Sequence, residues 1–316
     1  MQYSTFAAID IGSYDVILEI FEISKKQGIR SVDKICHRME LGKDTYTLGK
    51  IRPEMEEELC RVLADFVRIM EGYRVDDYRA TASSAISEAS NSLYVLGKIH
   101  QLTGLSVTVL SNSEQRFLSY KALAAMEDNF NKIIEKGTAI LDLDGGSFQI
   151  SLFDKDALVT TQNIRMGSLR IRERLAGIQS ETEHYEEMVE ELIWNEVSSF
   201  KKMYLKDRKI ENIMLIGDVF TDSVYQNIEE KTTKIISREN FNTWYEKIIR
   251  QSPMELAVKL GIPLENASLM YPSAVIYKCL IDMMGAEHIW IPGVHMTRGI
   301  AVSYTHLRAH ETELHL

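Results

Sequence analysis

The hydrophobic and polar positions along the chain predict the same strand–turn–strand unit twice. Residues 6–10 form a short apolar run, Gly12 and Ser13 follow as a turn, and apolar positions then alternate from 16 to 20. Residues 138–142 form a second apolar run, which is followed by a turn at 144–147 and alternation from 148 to 152. Alternation with period two is typical of strands. Each half of the chain is therefore predicted to open with a β-hairpin.

Helical and strand patterns alternate in the rest of the sequence. Apolar positions recur at helical spacing over 53–71, and Ser252, Pro253 and Glu255 form a capping box with proline at the first helical position. The other predicted elements are strands at 78–82, 106–110, 212–216 and 288–291, and helices at 92–103, 114–126, 180–204 and 266–284. This alternation predicts α/β layers.

Two domains are expected from the length and from a break in the pattern. The 316 residues are about twice the ~150-residue prior for one domain. A charged segment at 129–137 separates two periodic regions, which gives domains at 1–128 and 129–302. Residues 303–316 lack a continued core pattern and are interpreted as a non-native tail outside the fold.

Charge and cysteine content narrow the class of protein. Lysine and arginine total 36 and aspartate and glutamate total 46, and the net charge of −10 opposes general nucleic-acid binding and docking on anionic membranes. The three cysteines are widely separated, no basic leader precedes the first strand, and no apolar run reaches ~18 residues. These features predict a cytoplasmic protein.

The two hairpin turns carry the candidate chemistry. Glycine in a tight turn lets backbone N–H groups approach a phosphate, because no Cβ obstructs it. Asp10 and Asp142 end their strands beside these turns, where carboxylates can hold a hydrated Mg²⁺. One such turn is more often a plain hairpin. Two copies heading two α/β halves predict a phosphate site in a cleft between the halves.

Several ordered motifs resemble one family. They are residues 8–13 (AIDIGS), 80–91 (ATASSAISEASN), 110–117 (LSNSEQRF), 141–147 (LDLDGGS), 166–170 (MGSLR) and 285–289 (GAEHI) with Gly293 and Gly299. The chain is similar over about residues 5–302 to the exopolyphosphatase / guanosine pentaphosphate phosphohydrolase (Ppx/GppA) family. The resemblance implies an α/β, two-lobed fold of the actin-like and sugar-kinase-like (ribonuclease H-like) type.

The resemblance also implies an activity and a set of site residues. Family members hydrolyse the terminal phosphoanhydride of polyphosphate or of guanosine pentaphosphate, using Mg²⁺ and a glutamate that activates water. Asp142 is then the metal ligand, and the phosphate-binding residues are Gly12, Ser13, Gly145, Gly146 and Ser147. A homodimer is left open.

The catalytic glutamate is where the sequence departs from the family. The family's third motif carries two adjacent glutamates, of which the second is catalytic, and Glu114 and Gln115 occupy these positions. Glutamine can orient water but cannot accept its proton. Gln149 likewise replaces the glutamate that follows the second glycine loop. Glu114 either substitutes as the base or only favours the dipole of its helix.

Three functional hypotheses follow. The main one is a Mg²⁺-dependent phosphohydrolase, with polyphosphate as the first substrate and guanosine pentaphosphate as the second. The alternative is a degenerate member that binds polyphosphate or a guanine alarmone as a sensor, because Gln115 and Gln149 replace glutamates. An actin-like or sugar-kinase ATPase is disfavoured, because residues 217–220 lack a glycine-rich adenosine turn.

Overall fold

The computed structural model describes residues 3–24, 26–126, 130–176, 184–206, 208–217, 219–227 and 234–313. The strands are β1 (Ser4–Ile11), β2 (Asp15–Ser24), β3 (Gly28–Arg38), β4 (Asp77–Ala82), β5 (Val107–Val109), β6 (Thr138–Leu143), β7 (Phe148–Asp154), β8 (Ala157–Ile164), β9 (Asn212–Ile216), β10 (Ile235–Ser237) and β11 (His288–Trp290).

The helices of the described ranges alternate with these strands. They are α1 (Leu41–Leu48), α2 (Pro53–Gly72), α3 (Ser84–Ser87), α4 (Ser92–Thr103), α5 (Asn112–Met126), α6 (Phe130–Ile134), α7 (Ser168–Arg174), α8 (Tyr185–Phe200), α9 (Val219–Asn227), α10 (Arg238–Ile249), α11 (Pro253–Leu260), α12 (Leu264–Met284) and α13 (Met296–Glu313). A π-helical turn, Lys201–Leu205, continues α8. None of the helices in the described part of the chain is long and apolar enough to cross a bilayer.

The chain divides into two compact units. Unit 1 combines 1–125 with 294–316, and unit 2 is the continuous segment 126–293. The first boundary lies close to the predicted one. The C-terminal segment, however, belongs with the N-terminal half, whereas the sequence placed residues 294–302 in the second domain.

Unit 1 is built on a sheet with strand order β3-β2-β1-β4-β5. The first three strands are antiparallel, and β4 and β5 run parallel to β1. Because side chains alternate across a strand, Ala7, Ile9 and Ile11 face one core with α2 and α4, whereas Phe6 and Ala8 face a second core.

Unit 2 repeats this arrangement. Strands β8, β7 and β6 are antiparallel, β9 and β11 continue in parallel with β6, and β10 adds an antiparallel edge, in the order β10-β11-β9-β6-β7-β8. An antiparallel meander followed by parallel strands is the ribonuclease H-like order. The predicted α/β fold with two actin-like units is therefore confirmed.

Most predicted elements are present with small shifts of their ends. Both hairpins form, α4 matches its predicted range, and Ser252 and Glu255 form the predicted capping box. Residues 180–183, where the predicted helix 180–204 begins, lie outside the described residues.

The C-terminal helix corrects the interpretation of the tail. Helix α13 packs on the second core of unit 1, where Ile300 and Ala301 are buried. The Tyr304 ring stacks on Phe6 with ring centroids 4.0 Å apart, and Ser303 is buried and accepts a hydrogen bond from Lys121 Nζ. The prediction that the folded chain ends at 302 is therefore wrong for residues 303 and 304.

Gly299 lets α13 approach α5 closely, and its replacement tests this packing. A Cβ at Gly299 would lie 2.4 Å from the Leu118 carbonyl oxygen. We expect Gly299→Ala to lower the free energy of unfolding by about 1–3 kcal/mol, because the backbones must separate. In the control Gly97→Ala, on α4, a Cβ meets nothing within 4 Å. We expect that control to stabilise by about 0.4–1 kcal/mol. Urea unfolding of both variants measures the difference, and equal stabilities would contradict the packing.

Candidate active site

The first hairpin turn of unit 1 requires glycine because the backbone folds closely on itself. The Gly12 N–H donates to the Asp15 carbonyl oxygen at 2.9 Å. A Cβ at Gly12 would lie 2.9 Å from Asp15 Oδ1 and 3.1 Å from the Asp15 carbonyl oxygen. Asp15 is itself held by Arg38, whose Nη1 lies 2.7 Å from Asp15 Oδ2. The predicted turn is present, and an ion pair fixes its shape.

Ser13 is bound by hydrogen bonds to the rest of unit 1. The residue is fully buried, and its Oγ lies 2.7 Å from Tyr46 Oη. Tyr46 Oη also lies 2.8 Å from Ser84 Oγ, and the Ser13 carbonyl accepts from the Gly42 N–H at 2.7 Å. The resemblance implies that Ser13 binds phosphate, and in this structure its hydroxyl connects the turn to Tyr46 of α1, which also bonds Ser84 of α3.

The phenol of Tyr46 is expected to stabilise this turn. Tyr46→Phe removes the shared partner of two serine hydroxyls, and a buried hydroxyl without a partner costs about 1–3 kcal/mol. We expect a loss of unfolding free energy in this range. The control is Tyr73→Phe, whose hydroxyl donates to Asp33 at the surface and should matter by less than about 0.5 kcal/mol. Similar losses of unfolding free energy in the two variants would contradict a stabilising role of the Tyr46 hydroxyl in this turn.

Asp10 lies at the carboxyl end of β1, as predicted. It is half-buried and lies directly opposite Thr81 of the parallel strand β4. Thr81 Oγ1 donates a long hydrogen bond of 3.4 Å to Asp10 Oδ1. The carboxylate is thus placed at the edge of the sheet where open α/β sheets bind ligands.

The second hairpin turn, in unit 2, is closed by its own first residue. The Asp144 N–H donates to the Ser147 carbonyl oxygen at 2.9 Å, and Asp144 Oδ1 accepts from the Gly145 N–H at 2.7 Å. The Asp144 side chain therefore occupies the N–H group of Gly145, a residue that the resemblance assigned to phosphate binding.

The chain after β8 packs tightly under this turn. A Cβ at Gly167 would lie 2.2 Å from the Asp144 carbonyl oxygen and 2.4 Å from the Ser147 nitrogen. The Arg170 N–H donates to the Gly145 carbonyl at 2.9 Å, and Arg170 Nε donates to the Gly146 carbonyl at 2.8 Å. Arg170 thus holds the carbonyl side of the turn.

Asp142 stands at the head of a row of polar side chains in unit 2. It is half-buried, it lies directly opposite Gln149 of β7, and Gln149 lies directly opposite Asn163 of β8. The loop after β9 also approaches it, because a Cβ at Gly217 would lie 2.6 Å from Asp142 Oδ1. Gly217 has a φ of 104°, a conformation that favours glycine.

The donor set around Asp142 fits a magnesium ion. Gln149 is 6% exposed, and its buried Oε1 has no hydrogen-bond partner within the described residues. The buried Oδ1 of Asn163 also has no hydrogen-bond partner within the described residues. A carboxylate and neutral amide oxygens are hard ligands of the kind that Mg²⁺ takes in proteins. Asp142, with Gln149 beside it, could therefore hold the metal that the sequence predicted.

Glu114 forms a helix cap in unit 1. Its Oε2 accepts hydrogen bonds of 2.8 Å from the Ser111 N–H and from Ser111 Oγ. These bonds, with the nearby positive charge of Arg79, hold the pKa of the exposed Glu114 carboxyl below its ordinary value. Ser252 and Glu255 form the same box at the start of α11. Glu114 therefore stabilises the start of its helix, which was one of the two roles considered for it. Both cap hydrogen bonds use Oε2, so a catalytic role would use Oε1.

Gln115 is also engaged by the backbone. Its Nε2 donates to the Leu110 carbonyl oxygen at 3.2 Å, at the end of the segment that leads into α5. The amide thus anchors the helix start beside Glu114.

Sequence reasoning missed three residues of these sites. Tyr46 lies in α1, a short helix that the pattern did not reveal. Asn163 lies in β8, where the polar run TTQN conceals the strand. Of the three, Gly217 was the easiest to recognise from the sequence, because a glycine directly after a buried strand indicates a turn at the strand end.

Known proteins resemble this chain in sequence. The profile of the Ppx/GppA phosphatase family matches residues 19–307. A bifunctional 3-dehydroquinate synthase/phosphatase of Fusobacterium nucleatum is 21% identical over 310 residues, which cover 90% of this chain and 44% of that protein. Exopolyphosphatase 1 of Mycobacterium leprae is 25% identical over 144 residues, which cover 45% of this chain and 41% of that protein. The chain spans less than half the length of these curated relatives.

Solved structures share the fold across nearly the whole chain. The crystal structure of the Aquifex aeolicus Ppx/GppA family member matches with a TM-score of 0.75 and 18% identity, covering 97% of this chain and 99% of that one. An exopolyphosphatase from Cytophaga hutchinsonii matches with a TM-score of 0.83 and 17% identity, covering 97% and 98%. Because the family profile covers most of the sequence, this chain belongs to the Ppx/GppA phosphatase family.

Proposed function

We propose that this chain hydrolyses the terminal phosphoanhydride of inorganic polyphosphate, with guanosine pentaphosphate as the second candidate substrate. The observation that carries the proposal is the row at Asp142. It combines a carboxylate at a strand end, beside a glycine turn, with a buried amide oxygen that has no hydrogen-bond partner among the described residues. Phosphoryl transfer asks mainly for positioning and for neutralisation of charge on the phosphate oxygens. The exopolyphosphatases among the relatives support this choice of substrate.

Each group has a proposed role in the reaction. Asp10 in unit 1 and Asp142 in unit 2 are the candidate metal ligands. Gly146 and Ser147 offer backbone N–H groups to phosphate oxygens, whereas the Gly12 N–H is bonded to the Asp15 carbonyl oxygen and Gly12 keeps the first turn compact. When bound, Mg²⁺ would neutralise charge on the phosphates. Water forms a bond to the terminal phosphorus while the bridging P–O bond breaks, and the proton that water loses passes to Glu114 and then to solvent. Gln115 holds the start of α5 in place.

Phosphate release from polyphosphate tests the proposal. We expect release with Mg²⁺ and none in excess chelator, and a parallel assay with guanosine pentaphosphate ranks the two substrates. Failure to release phosphate from either substrate would overturn the proposal.

The second candidate function is binding without turnover. It is favoured by the side-chain contacts of Glu114 and Gln115, since both are committed to the start of α5. Calorimetry identifies it if polyphosphate binds and no phosphate is released.

A further inference from the structure

The polar row of unit 2 extends beyond the residues that the motifs assign. Asp142, Gln149 and Asn163 lie directly opposite one another on β6, β7 and β8. Directly opposed residues of an antiparallel pair point to the same face, with Cβ atoms ~4.5–5.5 Å apart. Three oxygen-bearing side chains therefore stand side by side across three strands.

Two members of this row are buried acceptors for which the described residues provide no hydrogen-bond donor. Gln149 Oε1 and Asn163 Oδ1 are shielded from solvent, and neither accepts a hydrogen bond within the described part of the chain. Buried polar atoms are almost always paired in folded proteins, because an unpaired one loses its bonds to water without replacement. Two such oxygens in adjacent positions indicate a shared ligand rather than two separate defects.

The charge of the row sets what that ligand can be. Its one formal charge is the carboxylate of Asp142, because position 149 carries an amide where the family pattern has a glutamate. Amide oxygens coordinate a hard cation but do not neutralise it. Mg²⁺ is commonly held by one or two carboxylates together with the phosphates of the substrate. With one carboxylate, the substrate must supply more of the negative charge.

We propose that Asp142, Gln149 and Asn163 form a low-charge metal subsite that takes Mg²⁺ only together with the polyphosphate, with Asn163 as a ligand. The inference rests on the proposed function and adds that Mg²⁺ and polyphosphate depend on each other for binding. Because coupling between two ligands is reciprocal, the metal tightens polyphosphate binding by the same factor as polyphosphate tightens metal binding.

Calorimetry with a non-hydrolysable imidotriphosphate tests this coupling without turnover. For the wild-type chain we expect no measurable binding of Mg²⁺ alone, and binding of the analogue at least about 10-fold tighter with Mg²⁺ than with chelator, within the range typical of coupled sites. Asn163→Ala should remove most of this Mg²⁺-dependent gain in affinity and leave the affinity for the analogue in chelator unchanged. The control Gln162→Ala, on the opposite face of β8, should keep the full gain.

A second variant tests the charge argument directly. Gln149→Glu restores a second carboxylate, so Mg²⁺ alone should bind measurably and the gain should shrink. Circular dichroism melting checks that each variant folds, and the Gln149→Glu result stands even where Asn163→Ala does not fold. Tight binding of Mg²⁺ alone to the wild type, or an unchanged gain in folded Asn163→Ala, overturns the inference. If the analogue binds neither with Mg²⁺ nor with chelator, the proposed function fails instead.

Discussion

Asp142→Asn is expected to reduce Mg²⁺-dependent phosphate release by at least about 100-fold. The substitution keeps the shape of the side chain and removes the formal charge of the polar row on β6, β7 and β8. Charge stabilisation by a catalytic metal amounts to several kcal/mol, and each 1.36 kcal/mol corresponds to a factor of ten in rate. Assays across a range of Mg²⁺ concentrations measure the loss, and high Mg²⁺ should restore part of it.

A matched control lies at the other end of the same hairpin. Asp154 ends β7, away from the turn, and is half-buried like Asp142. Asp154→Asn changes the same charge in the same sheet and should leave activity within about twofold of the wild type. Full activity in Asp142→Asn, or an equal loss in both variants, would remove Asp142 from the site.

Glu114→Gln should lower phosphate release by about 100-fold, the low end of the range for general base catalysis. The low end is expected because the hydrogen bonds from Ser111 lower the pKa of Glu114 and so weaken it as a base. Glutamine is accepted at this position of a capping box, so the helix start should survive the change. A catalytic loss can thus be separated from a folding defect.

Glu255→Gln supplies the comparison, because Glu255 forms the same box with Ser252. Its pKa is also lowered by hydrogen bonds from its serine. A carboxyl with a lowered folded-state pKa stabilises the protein above its unfolded-state pKa, and this contribution is lost as pH falls through the folded-state value. Both variants should therefore be less stable than the wild type at neutral pH and equal to it in strong acid. The loss of activity should occur in Glu114→Gln alone, and unchanged activity there would leave Glu114 as a cap only.

The sequence predicted the centre of each sheet and the edge strand β5, and it missed the edge strands β3, β8 and β10. The central strands β1, β2, β6 and β7 are buried and therefore carry continuous or alternating apolar residues. These apolar residues are the pattern from which the strands were predicted. Edge strand β3 is mostly exposed and polar, so no apolar face revealed it. Helix α13 was missed because its partners Phe6 and Leu118 lie far away in the sequence, and local periodicity cannot report such contacts.

The sequence located the candidate site better than it described the contacts there. The turn residues could be found because the combination of a strand-end aspartate and a glycine turn occurs twice, at the head of each half of the chain. The hydrogen bond between Ser13 and Tyr46 could not, since it joins residues 33 positions apart. The cap at Glu114 was predictable, because Ser111 and Glu114 have the same spacing as Ser252 and Glu255.

The composition of unit 1 from both ends of the chain has a consequence for its synthesis. Strands β1 and β2 are made before unit 2, but α13, which covers Phe6 and Phe21, is made after all of unit 2. At about 5–20 residues per second, this delay is on the order of ten seconds. During that time the aromatic face of the first hairpin lacks the cover that α13 supplies, so unit 1 can complete its fold only after unit 2 has been made. Unit 2 is continuous and can fold as soon as its own segment emerges.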